Sequence, residues 1–304
     1  MIPCLTFPQV RVAFPRERMP QAGGSTTVAI VFRCEKCDAR YRVNLEKAGC
    51  RATCRRCGQN IVVPDPMPRD QVLDLPTLQD RRQPSAPLPP VDPTHRQRIA
   101  DHIEEHLGPI DYVFHELISE YVHIDVHRVP PQKHRPYYTL VTSGMSEQPM
   151  TVPDGADSPR FTELMICLPP DWPLEMDDFR DERNYWPIRL LKVLARLPHE
   201  FRTWLGMSHS VPNGEPPQPY APNVRFCCAI LVPPLTCSDS FRTLQFEADE
   251  PIHFYAALPL FPEELDCKLR QGMDKLIDRL DKARVTELLN LRRKNSCRRN
   301  WFGL

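Results

Sequence analysis

The sequence predicts an α+β protein: a mixed sheet with packed helices, preceded by a small cysteine-pinned ribbon on a proline-rich tether. Three observations predict it. Four cysteines stand near the start as C-x2-C, sixteen residues, C-x2-C. Nine prolines fall among the thirty residues from Pro64 to Pro93. Beyond them, strand-period and helix-period segments interleave without strict alternation, the pattern of α+β rather than doubly wound folds.

Residues 1–27 carry several prolines, a Gly-Gly pair and no apolar period. They read as a disordered extension, and a start site placed too early is the alternative origin. No apolar h-region is present, so no signal peptide is expected. With 304 residues and 39 basic against 39 acidic side chains, no global field draws the chain to nucleic acid. No run of about 18 apolar residues exists, so no membrane span is expected.

Residues 28–64 form the ribbon. In each pair, Cys34 with Cys37 and Cys54 with Cys57, two intervening residues let both sulfurs face one point, and the sixteen between are enough to double back. Soft thiolates in a closed four-sulfur cage suit one structural Zn2+. Two disulfides, or four unrelated thiols, are the alternatives. Phe32, Tyr41 and Val43 flank the first pair and Ile61, Val62 and Val63 the second, as short strands would; Gly58 supplies a left-handed turn. A unit this small depends on its metal for stability, and Cys50 reads as a spare thiol. Eight Lys or Arg against three acids give the ribbon a net +5, which allows weak nucleic-acid contact. A reduced thiol cage without an export signal points to the cytoplasm.

Residues 65–93 are an extended, semi-stiff linker, and 94–304 the large domain. "DPTHRQRIADHIEEHLG" places Ile99, Ile103 and Leu107 on one helix face, with Asp92 or Thr94 as cap and Gly108 as stop. "EYVHIDVHRV" alternates Val122, Ile124 and Val126 with His123, Asp125 and His127, the period of a half-buried strand. Further strands are expected at 137–142, 163–168, 224–232 and 252–258. "WPIRLLKVLARLP" reads as a helix burying Leu190, Leu191, Val193, Leu194 and Leu197, with Pro187 in its first turn and Pro198 ending or kinking it. "HEFRTWLG" adds a turn or two. "PEELDCKLRQGMDKLIDRLDK" is helical with a weak point at Gly272.

The segments "YYTLVTSGMSEQPM", "ELMICLPPDWP", "YWPIRLLKVLARLPHEFRTWLG" and "IHFYAALPLFPEELDCKLRQG" resemble the bacterial suppressor of fused family. "VFHELISEYVHIDVH" and "LLNLRRKN" fit as well, and the blocks run in order from about 95 to 297. The ribbon is separately similar to zinc-ribbon domains fused to assorted bacterial proteins. The resemblance implies a non-enzymatic protein-binding α+β domain. Its animal relatives hold a transcription factor by a short peptide; for bacterial relatives it implies immunity proteins of polymorphic toxin systems, or regulatory sequestering adaptors. The resemblance is to the N-terminal-type domain shared with the animal proteins, so their two-domain peptide clamp is not expected here. Ser143, Met145, Trp172, His199, Trp204 and His209 are the candidate partner-binding residues.

Two other functions compete. His123, Asp125 and His127 on one strand face could hold a catalytic metal for hydrolysis, although neither H-E-x-x-H nor G-x-S-x-G is present. Arg51, Arg55 and Arg56 in the ribbon, with Arg292, Arg293, Lys294, Arg298 and Arg299 near the end, could meet phosphates. The partner expected from the sequence is a protein, toxin or regulator, with no membrane and no catalytic residue.

Overall fold

The computed structural model describes residues 29–34, 36–37, 39–44, 51–62, 93–116, 121–245 and 250–297, in two separate units. The expected N-terminal extension and residues 65–92 of the expected linker, like Cys50, Arg298 and Arg299, lie outside the described residues; Pro93, expected to end the linker, instead opens a helix.

The small unit has two antiparallel hairpins. Strand β1 (Ala29–Arg33) pairs with β2 (Arg40–Asn44), and β3 (Arg51–Thr53) with β4 (Asn60–Val62). Each cysteine pair occupies a hairpin turn.

The large unit is built on an eight-stranded mixed sheet. Its strands are β5 (Tyr112–Phe114), β6 (Asp125–Val129), β7 (Tyr138–Ser143), β8 (Thr162–Leu168), β9 (Ser210–Pro212), β10 (Cys228–Val232), β11 (Thr243–Leu244) and β12 (Ile252–Leu260). The order is β5-β6-β7-β8-β12-β10-β9, with β11 on the flank of β12. All pairings are antiparallel except β8 with β12. Four helices complete the unit: α1 (Pro93–Leu107), α2 (Glu182–Phe201), α3 (Pro262–Gln271) and α4 (Met273–Lys282).

Successive strand residues point to opposite faces, and the two long helices take one face each. Val126, Leu140, Leu164, Ile166 and Leu168 join the α2 side chains Trp186, Ile188, Leu191 and Leu194 in the main core. On the other face Arg96 of α1 reaches Asp125, and Ile99, Ile103 and Leu107 are buried as their four-residue spacing predicts.

Several boundaries differ from expectation. The strand expected through Val122–Val126 begins at Asp125; Val122 and Ile124 are nonetheless core residues. The strand expected at 224–232 covers only Cys228–Val232. Helix α2 starts at Glu182, with the Asp181 side chain accepting from the Arg183 amide as cap. Pro187 is therefore inside the helix, and the chain stays helical for three residues past Pro198, until Arg202 turns left-handed. Broad apolar burial outweighs the lost amide donors. Val193, expected in the core, is 45% exposed. Gly272, at φ 88° and ψ 167°, separates α3 from α4, so the expected weak point is a break.

The sheet carries a split. Strand β12 follows β8 only from His253 to Ala256, against Thr162 to Met165. Beyond that, residues 286–289 lie beside the second half of β8: Cys167 N–H donates to Glu287 O, and Leu289 N–H to Cys167 O. The Glu287 carboxylate, buried under this strap, accepts from the Leu235 and Thr236 amides and the Thr236 hydroxyl.

Candidate functional site

In the ribbon, the Cys34 amide donates to Ala39 O and the Cys54 amide to Gln59 O, while Gly58, at φ +73°, returns its amide to Cys54 O. These bonds curl both turns so that the four sulfurs lie within 4.8 Å of one another. Cys34 Sγ is 3.7 Å from Cys57 Sγ, and Cys37 Sγ 3.6 Å from Cys54 Sγ. A disulfide requires about 2.05 Å. A tetrahedron with metal–sulfur bonds of about 2.3 Å has edges of about 3.8 Å. The donor set fits a closed structural zinc site, held by Cys34, Cys37, Cys54 and Cys57, with no position left for a reactant. It is the one such group of metal-ligating side chains among the described residues. The Tyr41 hydroxyl lies 2.9 Å from Cys54 Sγ and accepts from the Arg55 amide. Its hydrogen bond, more than any other influence, draws the Cys54 thiol down to about 6. Tyr41 thus acts as an outer-shell support of the kind that orients metal ligands.

Of the three side chains His123, Asp125 and His127, the large unit keeps His123 beside Asp125 and turns His127 away. Asp125 is held by Arg96 Nη1 at 2.6 Å and by the Glu116 amide at 3.1 Å. The same guanidinium bonds Glu147 and the His123 carbonyl. His115 and His123 approach the Asp125 carboxylate at 3.2 and 3.3 Å. His127 is buried and turned to the Ser143 hydroxyl at 2.8 Å; burial lowers it to about 4. Arg96 is paired with the Asp125 carboxylate, and His123, Asp125 and His127 form no metal-ligating group among the described residues. Behind them, Glu116 accepts from the Ile124 amide and pairs with Arg196.

The "TSGMS" turn is organised by Glu163, a fully buried carboxyl that accepts from the Gly144 and Ser146 amides and the Ser146 and Thr142 hydroxyls. Gly144 is required there: at φ +112°, a Cβ would stand 2.0 Å from His123 O. Ser143 and Met145 are therefore inside the protein, as is His199, whose ring nitrogen meets Met145 O at 2.9 Å. Trp172 is also mostly buried, its indole N–H donating to Asn184 O. All four are buried in the structure. Trp204 and His209 are half-buried and face each other edge-on at 5.5 Å; they remain at the surface.

The basic residues divide similarly. Arg51, Arg55 and Arg56 are exposed on the ribbon. Arg293 is not available to phosphate: it makes a two-point bond to buried Glu264. Arg292 and Arg284 line a cleft of about 1110 Å³ together with Arg135, Tyr137, the Pro169–Pro173 loop and the 283–293 segment. Arg135 was not anticipated. It lies among charged residues in "QKHRPYY", where the sequence gives a solvated surface, and only the fold buries it.

A family model described as suppressor of fused protein matches residues 120–294. The chain belongs to the suppressor of fused family. Among solved structures, the suppressor of fused homologue from Neisseria gonorrhoeae is 16% identical, with a TM-score of 0.50 over 68% of this chain and 98% of that one. The Sufu–Fu complex gives 14% identity and 0.47, covering 66% of this chain and 92% of that chain. Suppressor of Fused from Drosophila gives 13% and 0.39, covering 59% and 46%. No curated protein matches. The suppressor of fused domain thus accounts for the mixed α+β unit, and the four-thiol ribbon stands outside the matched residues. No described helix is long and apolar enough to cross a membrane.

Proposed function

We propose that this chain is a non-enzymatic protein-binding adaptor, in which the zinc ribbon is structural and the suppressor of fused domain recognises a protein partner. The family match over residues 120–294 carries this reading. It is supported by the pairing of Arg96 with Asp125, which leaves His123, Asp125 and His127 without a shared ligand set. Sufu, of the same family, is known in a complex with Fu. The most concrete version is an immunity protein that neutralises a toxin in the bacterial cytoplasm; regulatory sequestration is the second. Trp204 and His209 are candidate anchors at the surface. The exposed Arg51, Arg55 and Arg56 favour an additional weak nucleic-acid contact by the ribbon.

The deciding experiment is affinity capture with the full chain from a native lysate, read by mass spectrometry. Recovery of one stoichiometric partner is expected, and a toxin fragment would select the immunity version. Turnover of a small substrate by the purified chain, or absence of any saturable partner, would overturn the reading.

A further inference from the structure

Resting on the protein-binding reading above, we propose that the cleft lined by the Pro169–Pro173 loop and the 283–293 segment docks an acidic, leucine- or aromatic-containing peptide of the partner protein.

Arg135 is the centre of the argument. It is only 7% exposed, yet no carboxylate pairs with it among the described residues. Its Nη1 donates to Thr236 O at 2.7 Å and its Nη2 to the Thr139 hydroxyl at 2.9 Å, while Nε is buried without a partner. Apart from these two bonds Arg135 has a long contact to Cys237 Sγ at 3.9 Å and the Tyr137 ring at 5.0 Å. A guanidinium taken out of water without a paired carboxylate is costly, and an incoming carboxylate offsets that cost. The rim adds charge of the same sign. Arg284 and Arg292 are exposed and without an acidic partner among the described residues, and of the acidic residues only Asp171 lines the cleft. Arginine is the side chain best suited to two-point recognition of a carboxylate.

The walls specify a peptide. Pro169, Pro170 and Pro173 with Leu288 and Leu291 offer apolar surface between the cations, which suits alternating acidic and apolar side chains on an extended chain. The volume exceeds the roughly 300–1,000 Å³ usual for small-molecule sites. Trp172 is mostly buried with its indole N–H bonded to Asn184 O, and the half-buried Tyr137 ring lies beneath the Arg135 guanidinium at 5.0 Å, so the aromatic side chains of this wall are largely engaged within the fold.

The test pans a display library of twelve-residue peptides on the full chain at about 150 mM salt, near a Debye length of 8 Å. Enrichment of Asp or Glu beside Leu or aromatic residues is expected. Arg284→Asp with Arg292→Glu, both at exposed positions, should weaken the selected peptides at least tenfold while leaving the melting temperature unchanged. Arg135→Met should weaken them further if it folds; the rim variant decides the matter if it does not. Enrichment of basic peptides, no enrichment, undiminished binding to the rim variant, or a twelve-nucleotide oligo-dT that binds more strongly than the peptides and is lost in the rim variant would each overturn the inference. If lysate capture yields a partner that the rim variant still holds, this cleft assignment fails and the protein-binding reading stands. If capture yields none but acidic peptides bind here, the cleft assignment stands and the adaptor role falls.

Discussion

Arg293 holds Glu264 by two parallel hydrogen bonds, Nη1 to Oε1 and Nη2 to Oε2, each 2.6 Å long. Glu264 is fully buried at the start of α3, and it also accepts from the Phe261 amide and from the amide and hydroxyl of Ser296. The guanidinium lies over the Phe261 ring at 4.5 Å. One carboxylate thus ties the segment around residues 293–296 to the N-terminal turn of α3.

Removing one member of such a pair strands the other charge. Arg293→Met should cost about 3–5 kcal/mol, measured by urea unfolding. The double variant with Glu264→Gln should cost less than the sum of the singles. Burial pushes the Glu264 carboxyl up, but Arg293 together with the Ser296 and Phe261 amides outweighs it and holds the group below its ordinary value. Its contribution is therefore present above the unfolded carboxylate value near 4.5 and is lost as pH falls below it. A wild-type protein no less stable at pH 3 than at pH 6 would contradict this pairing.

His127 should make the domain acid-sensitive in a higher window. Burial lowers its ring from 6.5 to about 4, and Asp125, Arg96, His115 and Glu104 are the charges acting on it. Between those values the unfolded chain binds a proton that the folded ring refuses, so stability falls as pH drops from 6.5 to 4. At 1.36 kcal/mol per unit, the loss amounts to about 3 kcal/mol. His127→Gln should flatten this part of the stability profile, and an unchanged slope would refute it.

Glu163 sits among four donors, and burial, eased by bonds from Ser146 and Thr142, pushes its carboxyl above the ordinary value. A neutral isostere should serve in its place. Glu163→Gln should change stability by about 1 kcal/mol or less, whereas Glu163→Ala, which strands the Gly144 and Ser146 donors, should cost about 3 kcal/mol. Equal losses in the two variants would be evidence against this account.

The ribbon should bind one zinc per chain, read by atomic emission. Cys54→Ser should abolish binding, and Tyr41→Phe should lower affinity about 10–100-fold by removing the hydroxyl beside Cys54 Sγ. Because the large unit is separate, chelation should leave its main unfolding transition in place. A disulfide-containing, zinc-free ribbon under reducing purification would overturn the assignment.

The elements legible in the sequence were those whose information is local. Ile99, Ile103 and Leu107 specified α1 by spacing alone, and the cysteine pairs specified the sulfur cage. Short strands such as Ser210–Pro212 and Thr243–Leu244 were not legible, because two or three residues carry no period and are defined by their neighbours in the sheet. Pro187 misled for a related reason: the signal for a helix start is local, while the burial that carries α2 through it is tertiary. Polar residues were the hardest. Ser143 in a Gly-containing turn looks exposed, yet Glu163, twenty positions away, pulls that turn inward. Arg96 inside a charged helix face gave no sign that it would close over Asp125.

The strap at 286–289 also orders events during synthesis. The second half of β8 is made more than a hundred residues before the segment that bonds Cys167, and Glu264 waits for Arg293 and Ser296. The ribbon, early in the chain and dependent only on its own sulfurs, can mature while translation continues. The large domain cannot seal its seam until residue 296 has emerged, so until then a nascent chain carries an open sheet margin, the kind of surface that chaperones cover. Premature termination anywhere before the strap should therefore leave an aggregation-prone product rather than a smaller working domain.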